Sequence, residues 1–246
     1  MRRLSTVFVV ALSAACATRT APAPAPTRPP VAATPAPAAV PDSIRWVQQS
    51  AEFQAAFHQT YRLAAAHVER VAAGRAAGTW AVILDADETV INNAAYQRER
   101  AAIGAGFSAE SWNAWVKRRE ATPLPGAGEF LARVRALGGR VAIVTNRLQS
   151  ECDDTAAVFI AHQLVYDAML CRPDGSPSDK NPRFEAVAAG KTPAGATPLE
   201  VVAFVGDNIQ DFPKLSQALA KGPAAVFAEF GVRYFVVPNP MYGSWQ

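Results

Sequence analysis

The sequence predicts an α/β fold built on a parallel sheet with helices covering both faces. Two observations carry this. Short all-apolar runs, Ala81-Val82-Ile83-Leu84, Val141-Ala142-Ile143-Val144 and Val201-Val202-Ala203-Phe204-Val205, read as strands buried on both sides. The stretches between them carry helical spacing, so strands and helices alternate along the chain. A third observation locates function: the polar segments beginning at Asp85, Thr145 and Gly206 follow directly on these runs. Ligands in such sheets bind at the carboxyl ends of the strands.

The elements follow in order. Pro41-Asp42-Ser43 starts a helix, and Phe53, Phe57, Tyr61, Ala64, Val68 and Val71 recur at spacings of three and four, so one long amphipathic region runs to Gly74. The strand ending at Leu84 comes next. Residues 90–123 show no strand pattern and read as an insert, with Ser108 capping a short helix that carries Trp112, Trp115 and Val116 on one face. Pro125-Gly126 precedes a helix through Phe130, Leu131, Val134 and Leu137, stopped by Gly138-Gly139. After the strand Arg140–Val144 come a helix from about Ser150 to His162, a strand near Ala168-Met169-Leu170, and a helix from Arg183 to Ala189 with Pro182 at its start. Tyr234–Val237 is the last strand. No internal repeat is evident.

The chain's 246 residues suffice for one mid-sized domain with appendages. Half the residues are hydrophobic and 18% are charged, which allows a sizeable core. A net charge of only +3 argues against a nucleic-acid partner. His58, His67 and His162 form no ligand-like cluster in the sequence, so neither a zinc site nor histidine phosphotransfer is expected.

Residues 1–16 read as an export signal: Met1-Arg2-Arg3 is the basic start, and the apolar stretch Val7 to Ala15 is too short to span a bilayer. It ends at Leu12-Ser13-Ala14-Ala15-Cys16, which resembles a bacterial lipobox with its leucine one place early, and Cys16 is the lipidation candidate. A plain signal peptide cleaved nearby is the alternative. Residues 17–41, almost all Ala, Pro and Thr, form a semi-stiff tether at about 3 Å per residue, leaving 42–246 as the folded domain. A tether directly after Cys16 suits an anchor. The expected location is therefore outside the cytoplasm, as an outer-membrane lipoprotein facing the periplasm or cell surface.

Asp85 and Asp87 leave one strand end two residues apart, and residues i and i+2 of an extended segment point the same way. Paired acids there are costly unless a cation or substrate uses them, and they suit a hard, oxygen-seeking divalent metal with one carboxylate free to attack.

With Thr89, these acids give Asp-x-Asp-x-Thr; Thr145 follows the second strand, Lys180 comes next, and Asp207 and Asp211 form Gly-Asp-x-x-x-Asp after a later strand. In this order the segments resemble the four motifs of the haloacid dehalogenase superfamily of phosphohydrolases. Phe57-His58-Gln59-Thr60-Tyr61, Ser111-Trp112, Trp115-Val116, Pro125-Gly126-Ala127, Thr145-Asn146-Arg147 and Pro238-Asn239-Pro240-Met241-Tyr242-Gly243 are similar to segments of the class C acid phosphatases, the lipoprotein e(P4)-like group of acid phosphatases and 5′-nucleotidases. The likeness spans about residues 44–246. It implies a Rossmann-like three-layer sheet with a small helical cap, residues 90–123, inserted between the first and second motifs.

The resemblance implies roles. Asp85 is the nucleophile that forms an aspartyl-phosphate, and Asp87 is the general acid and then the base. Mg2+ is held by the Asp85 carboxylate, the Asp87 carbonyl and Asp207. Thr145, Asn146 and Lys180 bind the phosphoryl group, with Lys191 a rival for the lysine. Asp211 orients Lys180 or a metal-bound water, or else satisfies free N–H groups at a helix start. Thr89 fixes the turn after Asp87, and Glu88 is structural. Trp112, Tyr242 and Tyr96 are the aromatics for stacking a base or aryl group. Expected substrates are small phosphomonoesters, nucleotides and aryl phosphates among them. Cys152 and Cys171 pair as a disulfide if their strands are neighbours, or stay as buried thiols. Two other functions use the same chain: a phosphotransferase, or a non-enzymatic lipoprotein that binds haem or nucleotide. A phosphonate hydrolase would need a cap lysine as Schiff base, and Lys117 reads as part of a solvated basic face.

Overall fold

The computed structural model describes residues 39–192, 195 and 197–246. The signal segment, Cys16 and the tether up to residue 38 lie outside the described residues.

The strands β1 (Trp80–Leu84), β4 (Arg140–Leu148), β5 (Ala168–Arg172), β6 (Glu200–Gly206) and β7 (Tyr234–Val236) form one sheet in the order β5-β4-β1-β6-β7. Every pairing in it is parallel. The central strand β1 is buried at all of its positions, as its unbroken apolar run requires. Its alternate residues face opposite layers. Trp80, Val82 and Leu84 pack with α2 (Ala51–Ala72), through Phe57, Ala64 and Val68, and with Phe130, Leu131 and Val134 of α5 (Ala127–Ala136). Ala81 and Ile83 pack with Phe184 and Val187 of α7 (Asn181–Ala188) and with Phe212. Helices thus cover both faces, and the three layers expected from the sequence are present.

Three local departures have simple causes. The helical region expected from residue 42 to 74 is broken into α1 (Asp42–Gln49) and α2 at Ser50. Ser50 is extended, and its hydroxyl accepts the Phe53 N–H at 3.1 Å, which starts a new helix. The insert contains α3 (Ala94–Ala102) and α4 (Ala109–Arg118), and its base is closed by an antiparallel pair, β2 (Ile91–Asn92) and β3 (Thr122–Pro123). Strands of two residues are too short to show alternation, so no pattern announced them. The third departure is that β4 does not stop before Thr145: it runs through Leu148, with a register shift between Val144 and Leu148. Ser108 caps α4 as expected, accepting the Ser111 N–H at 3.2 Å.

Cys152, the first residue of α6 (Cys152–Ala161), is disulfide-bonded to Cys171, with their Cα atoms 6.0 Å apart. Cys171 lies within β5 rather than after it, and β4 and β5 are neighbours. Because the bridge closes a loop with a sequence separation of 19, Cys171→Ser is expected to destabilise the domain. The expected loss is about 3 kcal/mol, a Tm lower by roughly 6–12 °C in thermal unfolding. An unchanged Tm would show that the bridge constrains nothing.

Candidate active site

The site forms where β1, β4 and β6 end on the same edge of the sheet. The Asp85 N–H still donates to the Val205 carbonyl at 3.1 Å, but the chain then turns sharply. The N–H groups of Val90 and Ile91 both donate to the Ala86 carbonyl at 2.9 Å. Glu88 adopts φ 52°, a left-handed conformation unfavourable for a residue with a Cβ. Its buried carboxylate holds the turn by accepting the Asn93 N–H at 2.7 Å. The extended geometry expected for Asp85 and Asp87 is therefore lost, and each acid takes its own cation.

Asp85 faces Lys180. The ammonium Nζ donates at 2.6 Å to Asp85 Oδ1 and at 2.6 Å to Asp211 Oδ1. The other Asp211 oxygen accepts the Asn208 N–H at 2.8 Å, so Asp211 contacts both the lysine and a backbone N–H. Gly206 allows this approach, because a Cβ there would overlap the Asp211 side chain. Asp207 accepts from the Thr89 hydroxyl at 3.2 Å and from the Asn239 amide at 2.8 Å, with no cationic partner among the described residues. One ligand atom from each of Asp85, Asp207 and Asp211 lies within 4.8 Å of the others.

Electrostatics follow from that crowding. Burial pushes the Asp85 carboxyl up to about 7; Lys180 opposes the shift, while Asp211 and Asp87 add to it. Asp207 is driven well above the usual carboxylate range by burial, then by Asp211 and Asp85. Burial favours loss of the Lys180 proton, but Asp211 and Asp85 outweigh it and hold the ammonium above its ordinary range.

Asp87 faces Arg147. The guanidinium donates from Nε at 3.0 Å and Nη2 at 2.8 Å to Asp87 Oδ1, and from Nε at 3.2 Å to Oδ2. The Asn93 amide donates to Asp87 Oδ1 at 2.8 Å. Arg147, Asn93 and Asn239 had no expected role, although Arg147 and Asn239 stand in segments that carried the resemblance. The signal for Arg147 is its place directly after Thr145-Asn146.

The other expected residues divide. Lys180 is at the cluster, whereas Lys191 is exposed after α7 and is not brought to it. Thr145 is fully buried, and its hydroxyl accepts the Arg147 N–H at 3.1 Å. Asn146 is exposed, and its amide oxygen accepts from Arg183 Nη2 at 2.6 Å. Tyr96 is corrected: it is 2% exposed and bonded to Ser111 through its hydroxyl, so it packs the cap instead of stacking a ligand. Trp112 is half-buried, with the Arg147 guanidinium 5.3 Å from its ring centroid and Tyr96 edge-on at 5.1 Å. Tyr242 is half-buried in the segment that brings Asn239 to Asp207. Thr89 does more than shape its turn, since it bonds Asp207 directly.

Residues 9–245 match the family described as HAD superfamily, subfamily IIIB (acid phosphatase). The chain belongs to this family. Among solved structures it is similar to the class C acid phosphatase from Bacillus anthracis, with 27% identity, a TM-score of 0.71, and coverage of 82% of this chain and 84% of that one. A second structure of that enzyme, with tungstate bound, matches at 26% identity and the same TM-score of 0.71. This family member is an acid phosphatase, a phosphomonoester hydrolase, and its substrates are small phosphomonoesters.

Phosphatases of this superfamily depend on a metal, and the residues present fit one. Among the described residues, Asp85, Asp87, Asp207 and Asp211 are contacted by two cations, Lys180 and Arg147. Glu88, buried beside Asp87 and Asp207 with only neutral partners, adds to the excess of negative charge that a divalent cation would offset. The donors are all oxygen, which suits a hard cation. The Asp87 carbonyl accepts no hydrogen bond among the described residues and is available as a further oxygen donor.

Gly206→Ala is expected to push Asp211 off Lys180. Losing one charge-assisted bond of about 1.5–3 kcal/mol corresponds to a turnover of p-nitrophenyl phosphate lower by roughly 10- to 100-fold. Wild-type turnover in that variant would show that the Asp211–Lys180 contact is dispensable.

Proposed function

We propose that this acid phosphatase is an exported, Mg2+-dependent enzyme that works through an aspartyl-phosphate on Asp85. The observation that carries the reading is the double contact of Lys180. It fixes Asp85 through Oδ1 and leaves Oδ2 without a hydrogen-bond partner among the described residues, beside the unpaired acid Asp207.

The site's residues divide the reaction between them. Asp85 Oδ2 attacks phosphorus, and the bond from phosphorus to the leaving oxygen breaks. Asp87, whose Oδ2 is the less engaged of its two oxygens, gives that leaving oxygen a proton. In the second half, Asp87 takes a proton from water as the water oxygen attacks phosphorus, and the bond to Asp85 breaks. Lys180 keeps a positive charge next to the attacking carboxylate throughout. The exposed Asn146 amide, with the Thr145 hydroxyl behind it, is the hydrogen-bonding surface for phosphoryl oxygens. Mg2+, held by Asp85, Asp207 and the Asp87 carbonyl, supplies charge neutralisation between a carboxylate and a phosphate dianion. Tungstate bound in the relative supports a pocket for a tetrahedral oxyanion.

Nucleotides and aryl phosphates are the proposed substrates, with Trp112 and Tyr242 as the aromatics that meet the leaving group. The net charge of +3 gives no reason to add a nucleic-acid partner. No described helix is long and apolar enough to cross a membrane, so the proposed attachment rests on Cys16 and the Ala/Pro-rich tether alone.

Asp85→Asn is expected to lower kcat by on the order of 10⁴-fold or more with the fold retained, and EDTA to abolish turnover until Mg2+ is restored. Normal rates in the variant, or full activity after exhaustive chelation, would refute the nucleophile and the metal respectively. For the anchor, Cys16→Ala is expected to move the protein from the detergent phase to the aqueous phase in Triton X-114 partition. Equal partition of both forms would refute lipidation.

A further inference from the structure

We propose that Arg147 is a positioning residue: it locks the carboxyl of Asp87 in the orientation for proton transfer and ties that orientation to the cap. The inference rests on the reading of Asp87 as general acid.

The geometry leaves Arg147 little other work. Its side chain is 1% exposed. Nε reaches both Asp87 oxygens, Oδ1 at 3.0 Å and Oδ2 at 3.2 Å, while Nη2 donates to Oδ1 and to Asn93 Oδ1 at 3.1 Å, and Nη1 donates to the Thr155 hydroxyl at 3.1 Å. Each of its three nitrogens is engaged within the protein, so the guanidinium reaches no phosphoryl group without giving up a partner. Contacts to both oxygens from a planar guanidinium fix the plane of a carboxylate, which one point charge does not.

The anchor has two ends. On the core side, the Thr155 hydroxyl in α6 donates to the Glu151 carbonyl at 2.8 Å, which leaves its oxygen to accept from Nη1. On the cap side, Trp115 of α4 donates from its indole N–H to Asn93 Oδ1 at 2.9 Å. Asn93 in turn donates to Asp87. The Arg147 guanidinium also lies over the ring of Trp112, which α4 carries as well. A shift of α4 is therefore transmitted to Asp87 through Asn93 and Arg147 together.

A residue that acts only through a general acid has a particular signature. Adenosine 5′-monophosphate expels an alkoxide and needs a proton, whereas 2,4-dinitrophenyl phosphate expels a stable phenolate and does not. The quantity to compare is kcat/KM, which covers steps up to formation of the aspartyl-phosphate. Arg147→Met should lower it by about 100-fold or more for the nucleotide and by less than about tenfold for the dinitrophenyl ester. Arg147→Lys should recover part of the selective loss. Asp87→Asn should show the same selectivity, and the double variant should be no worse than Asp87→Asn alone. Inhibition by tungstate should stay within about threefold of wild type, since the phosphoryl pocket is untouched.

Equal losses for both esters, or weakened tungstate inhibition in step with kcat/KM, would overturn the proposal and make Arg147 a phosphate ligand or a fold element. If Arg147→Met does not fold, Arg147→Lys carries the same comparison, and equal losses there overturn it as well. If Asp87→Asn lowers both esters equally, the general-acid reading fails in its own right. If only the Arg147 variants lack selectivity, that reading stands and this inference falls.

Discussion

Four aspartates gathered at one edge of the sheet, with two contacting cations among the described residues, are the constraint on which the site depends. Charges removed from water are tolerated only when paired, and removing one partner of a buried pair costs about 3–5 kcal/mol. Lys180 answers part of the demand by serving Asp85 and Asp211 together. Asp207 is left to the neutral donors Thr89 and Asn239, which orient its oxygens without cancelling its charge. The remaining deficit is what fits the cluster to a divalent cation. A metal-dependent phosphatase and a charge-unbalanced pocket are two descriptions of the same arrangement.

The turn after β1 separates the chemistry into two halves. Had residues 85–87 stayed extended, both acids would have pointed to one side and competed for one cation. Instead the chain closes on the Ala86 carbonyl, and the left-handed Glu88 is held by its bond to the Asn93 N–H. Asp85 is directed to Lys180 and Asp87 to Arg147. Two carboxylates in different surroundings can take different roles, one as nucleophile and one as proton carrier.

The cap is joined to this arrangement and does not merely cover it. Arg119, the residue after α4, pairs with Asp154 of α6, and Asn113 reaches Glu151 at 3.3 Å. Glu151 also accepts the Leu148 N–H at 3.0 Å, directly after Arg147. The disulfide from Cys152 fixes the start of α6 to β5. The segment bearing Thr145, Asn146 and Arg147 is thus held by the sheet, by α6 and by the insert. Tyr96, which from the sequence looked available to a ligand, is consumed in packing α3 against α4, with its ring 5.1 Å from Trp112 and 6.1 Å from Trp115.

What the sequence by itself determined is whatever depends on neighbours along the chain. The apolar runs of β1, β4 and β6 specify buried parallel strands, and such strands present their following residues at one edge. The same rule puts Asp85, Thr145 and Asp207 after strands of one sheet, at its carboxyl edge. The order of the motifs left Lys180 and Lys191 as rivals, and it is the tertiary structure that buries Lys180 at the cluster and leaves Lys191 exposed. Only the tertiary structure decided which partners these groups take. Arg147 is 60 residues from Asp87, Asn239 is 32 from Asp207, and Thr89 is 118 from it. Among 24 lysines and arginines, nothing local marks the one that will be desolvated against a given acid. The break at Ser50 and the two-residue strands were hidden for a related reason: each is settled by one or two hydrogen bonds, fewer than a periodic pattern needs to show itself.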